Sequence, residues 1–111
     1  MKPEDFEYTP SLAVMDVSFI SATYIIPAVC GVLSDNADFI CLIKPQFEVG
    51  RAFIGKGGIV KDEKARAAAV KKVTDFAIQS GFSVLSVIKS SIKGGDGNVE
   101  FLAHLRKREK I

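Results

Sequence analysis

One histidine, His104, and two cysteines, Cys30 and Cys41, are too few and too scattered for a zinc or haem site. Both cysteines lie within apolar segments, so they read as buried free thiols, which favours a reducing compartment such as the cytoplasm. The acidic start, MKPEDFEYTPS, lacks the apolar stretch of a signal peptide. Internal repeats and low-complexity tracts are missing too. Long hydrophobic runs are nearly so: residues 17–34 carry no charge, but Ser18, Ser21, Thr23, Pro27 and Gly31 interrupt them. That stretch reads as a strand end plus a helix, not as a membrane span. Charge of one sign is scarce overall, at +2 net, yet it is unevenly placed. Residues 1–55 hold 3 Lys/Arg against 7 Asp/Glu, and residues 56–111 hold 12 against 6. A basic half suits a nucleic-acid partner, and a solvated surface accounts for it as well.

With 111 residues the chain has room for one domain and a buried core. Its most informative stretch is DFICLIKPQFEVG, residues 38–50. The apolar run 39–43 reads as a strand buried on both faces, and it delivers a single lysine, Lys44. Pro45 ends that strand, having no N–H to donate, and biases Lys44 towards an extended backbone. Before it, residues 12–19 read as another buried strand with Asp16 near its end. A helix capped by Ser21 or Thr23 then runs to about Ser34. Asp62 caps the clearest helix, which ends at Gly81 and groups Ala69, Val70, Val73, Phe76 and Ala77 on one face. Strands follow at 82–92 and 99–106, joined by the glycine-rich KGGDGN and hence antiparallel. The terminal RKREK reads as a solvated tail.

This β-α-β-α-β-β order predicts half of a doubly wound α/β sheet whose last strand is reversed. The reversal places the start of the last strand at the edge where the parallel strands end. Asp16, Lys44 and Glu100 should therefore share one rim, where open α/β sheets bind ligands. Two readings stay open: a catalytic constellation, or a turn cap (Asp16) beside a structural Glu100–Lys44 ion pair. Arg51, Lys56 and Lys93 are candidate backbone-phosphate contacts beside that rim, the alternative being that their glycines only shape a long loop. GRAFIGK fails as a phosphate loop, because Gly57 stands where magnesium needs Ser or Thr. GKGG lacks the helices that flank a KH loop. His104 reads as a structural histidine, and Asn98 as a turn residue.

Four segments carry a resemblance: DVSFIS (16–21), LIKPQFEVGR (42–51), GKGGIVKD (55–62) and GNVEFLAHLRK (97–107). Together they resemble the TlyA, or haemolysin A, family of ribosomal RNA 2′-O-methyltransferases, of the FtsJ-like class. The resemblance implies an α/β fold: the carboxyl-terminal half of a Rossmann-like methyltransferase sheet, one partial domain over residues 1–111. It implies S-adenosylmethionine as cofactor, with Asp16 beside it, and ribosomal RNA as partner. It also implies catalytic roles for Lys44, Asp16 and Glu100, three members of a Lys-Asp-Lys-Glu tetrad. A ribose hydroxyl is a poor nucleophile, so methyl transfer gains from a base, and a desolvated lysine can serve. The tetrad's first lysine and the family's glycine-rich cofactor loop have no counterpart in these residues. The expectation is a chain that is inactive alone, the alternative being a non-catalytic remnant that binds RNA or a partner. A further expectation is self-association through the edge of strand 12–19. The family's haemolysin name suggests membrane lysis, but no strongly basic amphipathic helix supports it.

Overall fold

The computed structural model describes residues 7–16, 21–49, 60–90 and 98–109. Within them run β1 (Leu12–Met15), α1 (Ile26–Val32), β2 (Asp38–Ile43), α2 (Glu63–Ser80), β3 (Phe82–Lys89) and β4 (Phe101–Lys107). Short 3₁₀ turns lie at Ala22–Tyr24 and Pro45–Phe47. The sheet order is β1-β2-β4-β3, with β1 and β2 parallel and β4 antiparallel to both its neighbours. The last strand thus fills the place between β2 and β3.

The helices share one face of this sheet for a topological reason. The step from β1 to β2 and the longer step from β2 to β3 move across the sheet in the same direction. Right-handed crossovers then put both connecting helices on one side. Phe39, Cys41 and Ile43 of β2 join Ala103 and Leu105 of β4, Phe82 of β3, Ile26 and Val29 of α1, and Val73 and Ala77 of α2 in one core. Phe39 and Phe82 pack with ring centroids 5.4 Å apart. β2 is accordingly not buried on both faces. Ile40 and Leu42 alternate with the core positions and keep partial exposure, and Leu12, Val14 and Ile88 are largely exposed. Among the described residues no layer covers that second face.

Local signals in α2 act as its sequence suggests. Asp62 Oδ1 accepts from the Lys64 amide at 2.8 Å, and Gly81 closes the helix at φ +116°. A side chain at Gly81 would be strained there and would meet Cys30 Sγ at 3.2 Å. α1 starts later than its sequence suggests. Ser21 caps the 3₁₀ turn, α1 proper begins at Ile26, and Pro27 falls in the first turn, where its missing N–H costs nothing. β1 is shorter than the 12–19 reading, and residues 17–20 lie outside the described set, as do 91–97 beyond β3. Among the described residues no helix is long and apolar enough to cross a membrane.

The basic end of the chain is a correction. RKREK is not a solvated tail over Arg106, Lys107 and Arg108. Lys107 is buried, and its Nζ donates to the Leu33 carbonyl at the end of α1 at 2.5 Å. Arg108 donates to the Ile78 carbonyl in the last turn of α2 at 2.6 Å and also to the Phe82 carbonyl. Cations at helix carboxyl ends satisfy orphan carbonyls and oppose the negative end of the helix dipole. The sequence pattern shows only a charge cluster; the acceptors come from helices far back in the chain.

Arg106 pairs instead with Asp38 across the β2–β4 ladder, at 3.0 Å, and His104 Nε2 lies 2.9 Å from the same carboxylate. These hydrogen bonds, His104 first and Arg106 second, lower the Asp38 pKa from its ordinary 3.8. A carboxylate depressed by folding adds stability above its unfolded pKa and loses it as pH falls through the lower folded value. We therefore expect an Asp38-dependent loss of thermal stability only below about pH 4. Asp38→Asn should flatten that acid limb in melts followed by circular dichroism. An unchanged limb would assign the acid sensitivity to other carboxylates.

Candidate active site

The rim at the carboxyl ends of β1 and β2 is built by the sheet register. Met15 pairs with Cys41, and Ile43 with Phe101. One residue further on each strand gives Asp16 and Lys44, and one residue before β4 gives Glu100. The three residues picked from sequence thus reach the same edge. Lys44 keeps the extended backbone that Pro45 imposes (φ −111°, ψ 100°), and the chain turns at once into the 3₁₀ turn. Its Nζ lies 2.5 Å from Asp16 Oδ1. The two ends of this pair differ in solvation: Lys44 is 12% exposed and Asp16 62%.

Glu100 is buried. Its backbone carbonyl accepts from the Ser90 amide at 2.8 Å, which ties the end of β3 to the start of β4. Its Oε2 accepts from Gln46 Nε2 at 2.9 Å. Among the described residues Lys44 forms an ion pair with Asp16, and the Glu100 side chain accepts from Gln46. Gln46 is not singled out by the sequence, and its Oε1 is buried with no hydrogen-bond partner. An amide buried with a bare carbonyl is unusual in native proteins, which marks the rim as a place where polar groups are not arranged for stability alone.

Glu48 is the second residue that sequence reasoning misses. Only 2% of its side chain is exposed. It accepts from Ser21 Oγ at 2.5 Å and the Ala22 amide at 2.7 Å, and Lys72 Nζ lies 3.1 Å away. This carboxylate clasps three segments: the turn entering α1, the loop carrying Lys44, and the middle of α2. Its charge also helps raise the Cys41 pKa to about 12, burial being the larger cause. Asn98 differs from its turn reading: it is buried, and its Oδ1 accepts from the Val60 amide at 2.9 Å. It thereby holds the segment leading into α2. His104 takes the structural part expected of it, on Asp38.

Arg51, Lys56 and Lys93, the candidate phosphate contacts, lie outside the described residues. Among the described residues there is no cluster of three or more metal-ligating side chains. The described glycines, Gly31 and Gly81, lie in α1 and after α2, away from the rim. Among the described residues the rim thus carries ionisable groups and no glycine.

Comparison with known proteins bears on the family and the fold. The family model for FtsJ-like methyltransferases matches residues 1–107. A candidate rRNA methyltransferase, YqxC of Bacillus subtilis, is 44% identical over 104 residues, covering 93% of this chain and 37% of its own. The 16S/23S rRNA (cytidine-2′-O)-methyltransferase TlyA of Mycobacterium tuberculosis is 41% identical over 106 residues, covering 96% and 40%. The solved structure of a candidate hemolysin from Streptococcus thermophilus superposes with a TM-score of 0.94 at 47% identity, over 99% of this chain and 40% of that one. The chain thus spans about 40% of the length of the curated relatives it matches.

Proposed function

The chain belongs to the FtsJ-like methyltransferase family, and from that premise we propose that it is the substrate-hydroxyl side of a ribosomal RNA 2′-O-methyltransferase of the TlyA type. The observation that carries the proposal is the Lys44–Asp16 pair at 2.5 Å, with buried Glu100 at the same rim. S-adenosylmethionine would supply the methyl group as an electrophile. The work assigned to this chain is on the acceptor. Lys44, as the neutral amine left once its ammonium has released a proton to solvent, takes the proton of the ribose 2′-hydroxyl as the oxygen attacks, which is the step a positioned base accelerates. Asp16 orients the amine through the same contact, an ion pair before that release and a hydrogen bond after it. Glu100, held by Gln46, helps to position the hydroxyl. Proximity of this kind works only if the groups are held in place beforehand, and the Glu48 clasp holds the loop that carries Lys44.

The described residues do not form a cofactor cradle, and in this reading the chain by itself is inactive. Calorimetric titration of the chain with S-adenosylmethionine is expected to give millimolar affinity or no heat. Micromolar binding would mean that these strands build the cradle after all. The alternative, a non-catalytic RNA- or partner-binding remnant, is favoured by the same weak binding. It is separated by methyl transfer when the cofactor-binding remainder of a relative is supplied.

Self-association belongs to the same proposal. The outer edge of β1 has no strand partner among the described residues, and Leu12 and Val14 beside it are 60% and 73% exposed. An apolar strand edge of this kind pairs with another strand when one is offered. Light scattering at high concentration should find dimers or larger species. A monodisperse monomer would rule this out.

A further inference from the structure

A groove runs between α2 and β3, with a volume of about 680 Å³. Its floor is apolar, formed by Val70 of α2, Val87 of β3 and Phe101 of β4. Three cations line it, Arg66, Lys71 and Lys89, against one acid, Glu63. The groove continues from the rim, because Lys89 pairs with Phe101 in the β3–β4 ladder and Phe101 follows Glu100 directly. Arg66 is ordered before any ligand arrives: its Nε donates to the Val60 carbonyl at 2.9 Å, which fixes the guanidinium plane. Lys71 pairs with Asp75 at 2.7 Å, but both are exposed, and a pair of that kind exchanges readily for another anion.

We propose that this groove holds the single-stranded RNA that flanks the target ribose. The inference rests on the RNA methyltransferase reading and adds a strand path to it. Apolar floor and cationic walls match the two chemistries of a nucleotide, a stacking base and a phosphate. Aromatic stacking with charge on the backbone is how single strands are held without sequence readout, and a preordered guanidinium suits a phosphate better than a free ammonium does. An acidic protein segment would satisfy the cations but has no use for the aromatic floor.

The test is fluorescence anisotropy with a labelled single-stranded RNA, titrated at several salt concentrations. Removing one cation that neutralises a phosphate should reduce the salt slope by about 0.7. The double variant Lys71→Gln/Lys89→Gln should therefore lose about 1.4 from the slope and bind at least about ten-fold more weakly at moderate salt. Both side chains are exposed, so the fold is preserved. Lys64→Gln, on α2 outside the groove, should change neither quantity. The proposal is overturned if the double variant binds like the parent, if Lys64→Gln is equally damaging, if the parent chain binds no RNA, or if polyglutamate competes as well as RNA. None of these lysines is placed at the proton transfer, so the methyltransferase reading falls separately, on Lys44.

Discussion

Replacing Lys44 with alanine is expected to cut 2′-O-methyl transfer by about 10²–10⁴-fold, the range that a positioned base contributes. The measurement is radiolabelled methyl incorporation into ribosomal RNA by a protein carrying this chain together with the cofactor-binding portion of its relatives. RNA affinity should hardly move, since a single buried amine at the rim is not a backbone contact. Stability should change little as well: the partner, Asp16, is 62% exposed, and a half-solvated ion pair contributes about 0–1 kcal/mol. Lys44→Arg sharpens the test. It keeps the cation and its pair with Asp16, but a guanidinium does not give up its proton in a protein. If the role of Lys44 is to accept a proton, arginine fails as alanine does. If the role is only to attract phosphate, arginine rescues. A Lys44→Ala enzyme that retained most of its rate would end the assignment.

Glu48→Ala should be the most destabilising substitution at the site. It removes the acceptor of Ser21 Oγ and of the buried Ala22 amide, and the anion facing Lys72. Hydrogen bonds to a charged group contribute about 1.5–3 kcal/mol each, and an amide left buried without a partner costs about 1–3 kcal/mol. Partial relaxation and solvation of the half-exposed Lys72 reduce the sum, so a loss of about 3 kcal/mol is expected. In a domain of this size one kcal/mol moves the midpoint by roughly 4–8 °C, which places the fall in Tm at roughly 12–24 °C. Glu48→Gln keeps the shape and one acceptor and should lose about half as much. Lys72→Met should cost under about 1 kcal/mol, because that end of the pair is 48% exposed. A Glu48→Ala loss within about 0.5 kcal/mol, typical of an ordinary surface change, would show that the clasp contributes nothing.

What is legible in the sequence is local. Asp62 and Gly81 punctuate α2 through interactions with residues within a turn of themselves, and Pro45 fixes the backbone of its neighbour Lys44. The convergence of Asp16, Lys44 and Glu100 needs one further inference, the reversed final strand, and register supplies the rest. Long-range partnerships stay hidden. Glu48 finds its partners 24 to 27 residues away, and in sequence it is only an acid in a loop after KPQ. Its setting is the available signal: a lone carboxylate between apolar residues, with a capping Ser21 in search of company. Lys107 and Arg108 mislead because a basic cluster looks the same whether it faces water or carbonyls. Ile40 and Leu42 mislead for a different reason. A continuous apolar run states that two faces can be covered, and it leaves open what does the covering.

The position of β4 bears on how the molecule is made. The strand that joins β2 to β3 is the last of the four to leave the ribosome, and the residues just after its core positions close both helix ends. Until they emerge, β2 and β3 have no shared ladder, and the carboxyl ends of α1 and α2 lack the cations of Lys107 and Arg108. Assembly should therefore be late and nearly all-or-none, with the slow kinetics that distant strand pairings impose. In ribosome-stalled chains ending before residue 101, the segment from β1 to β3 should be as protease-sensitive as an unfolded one.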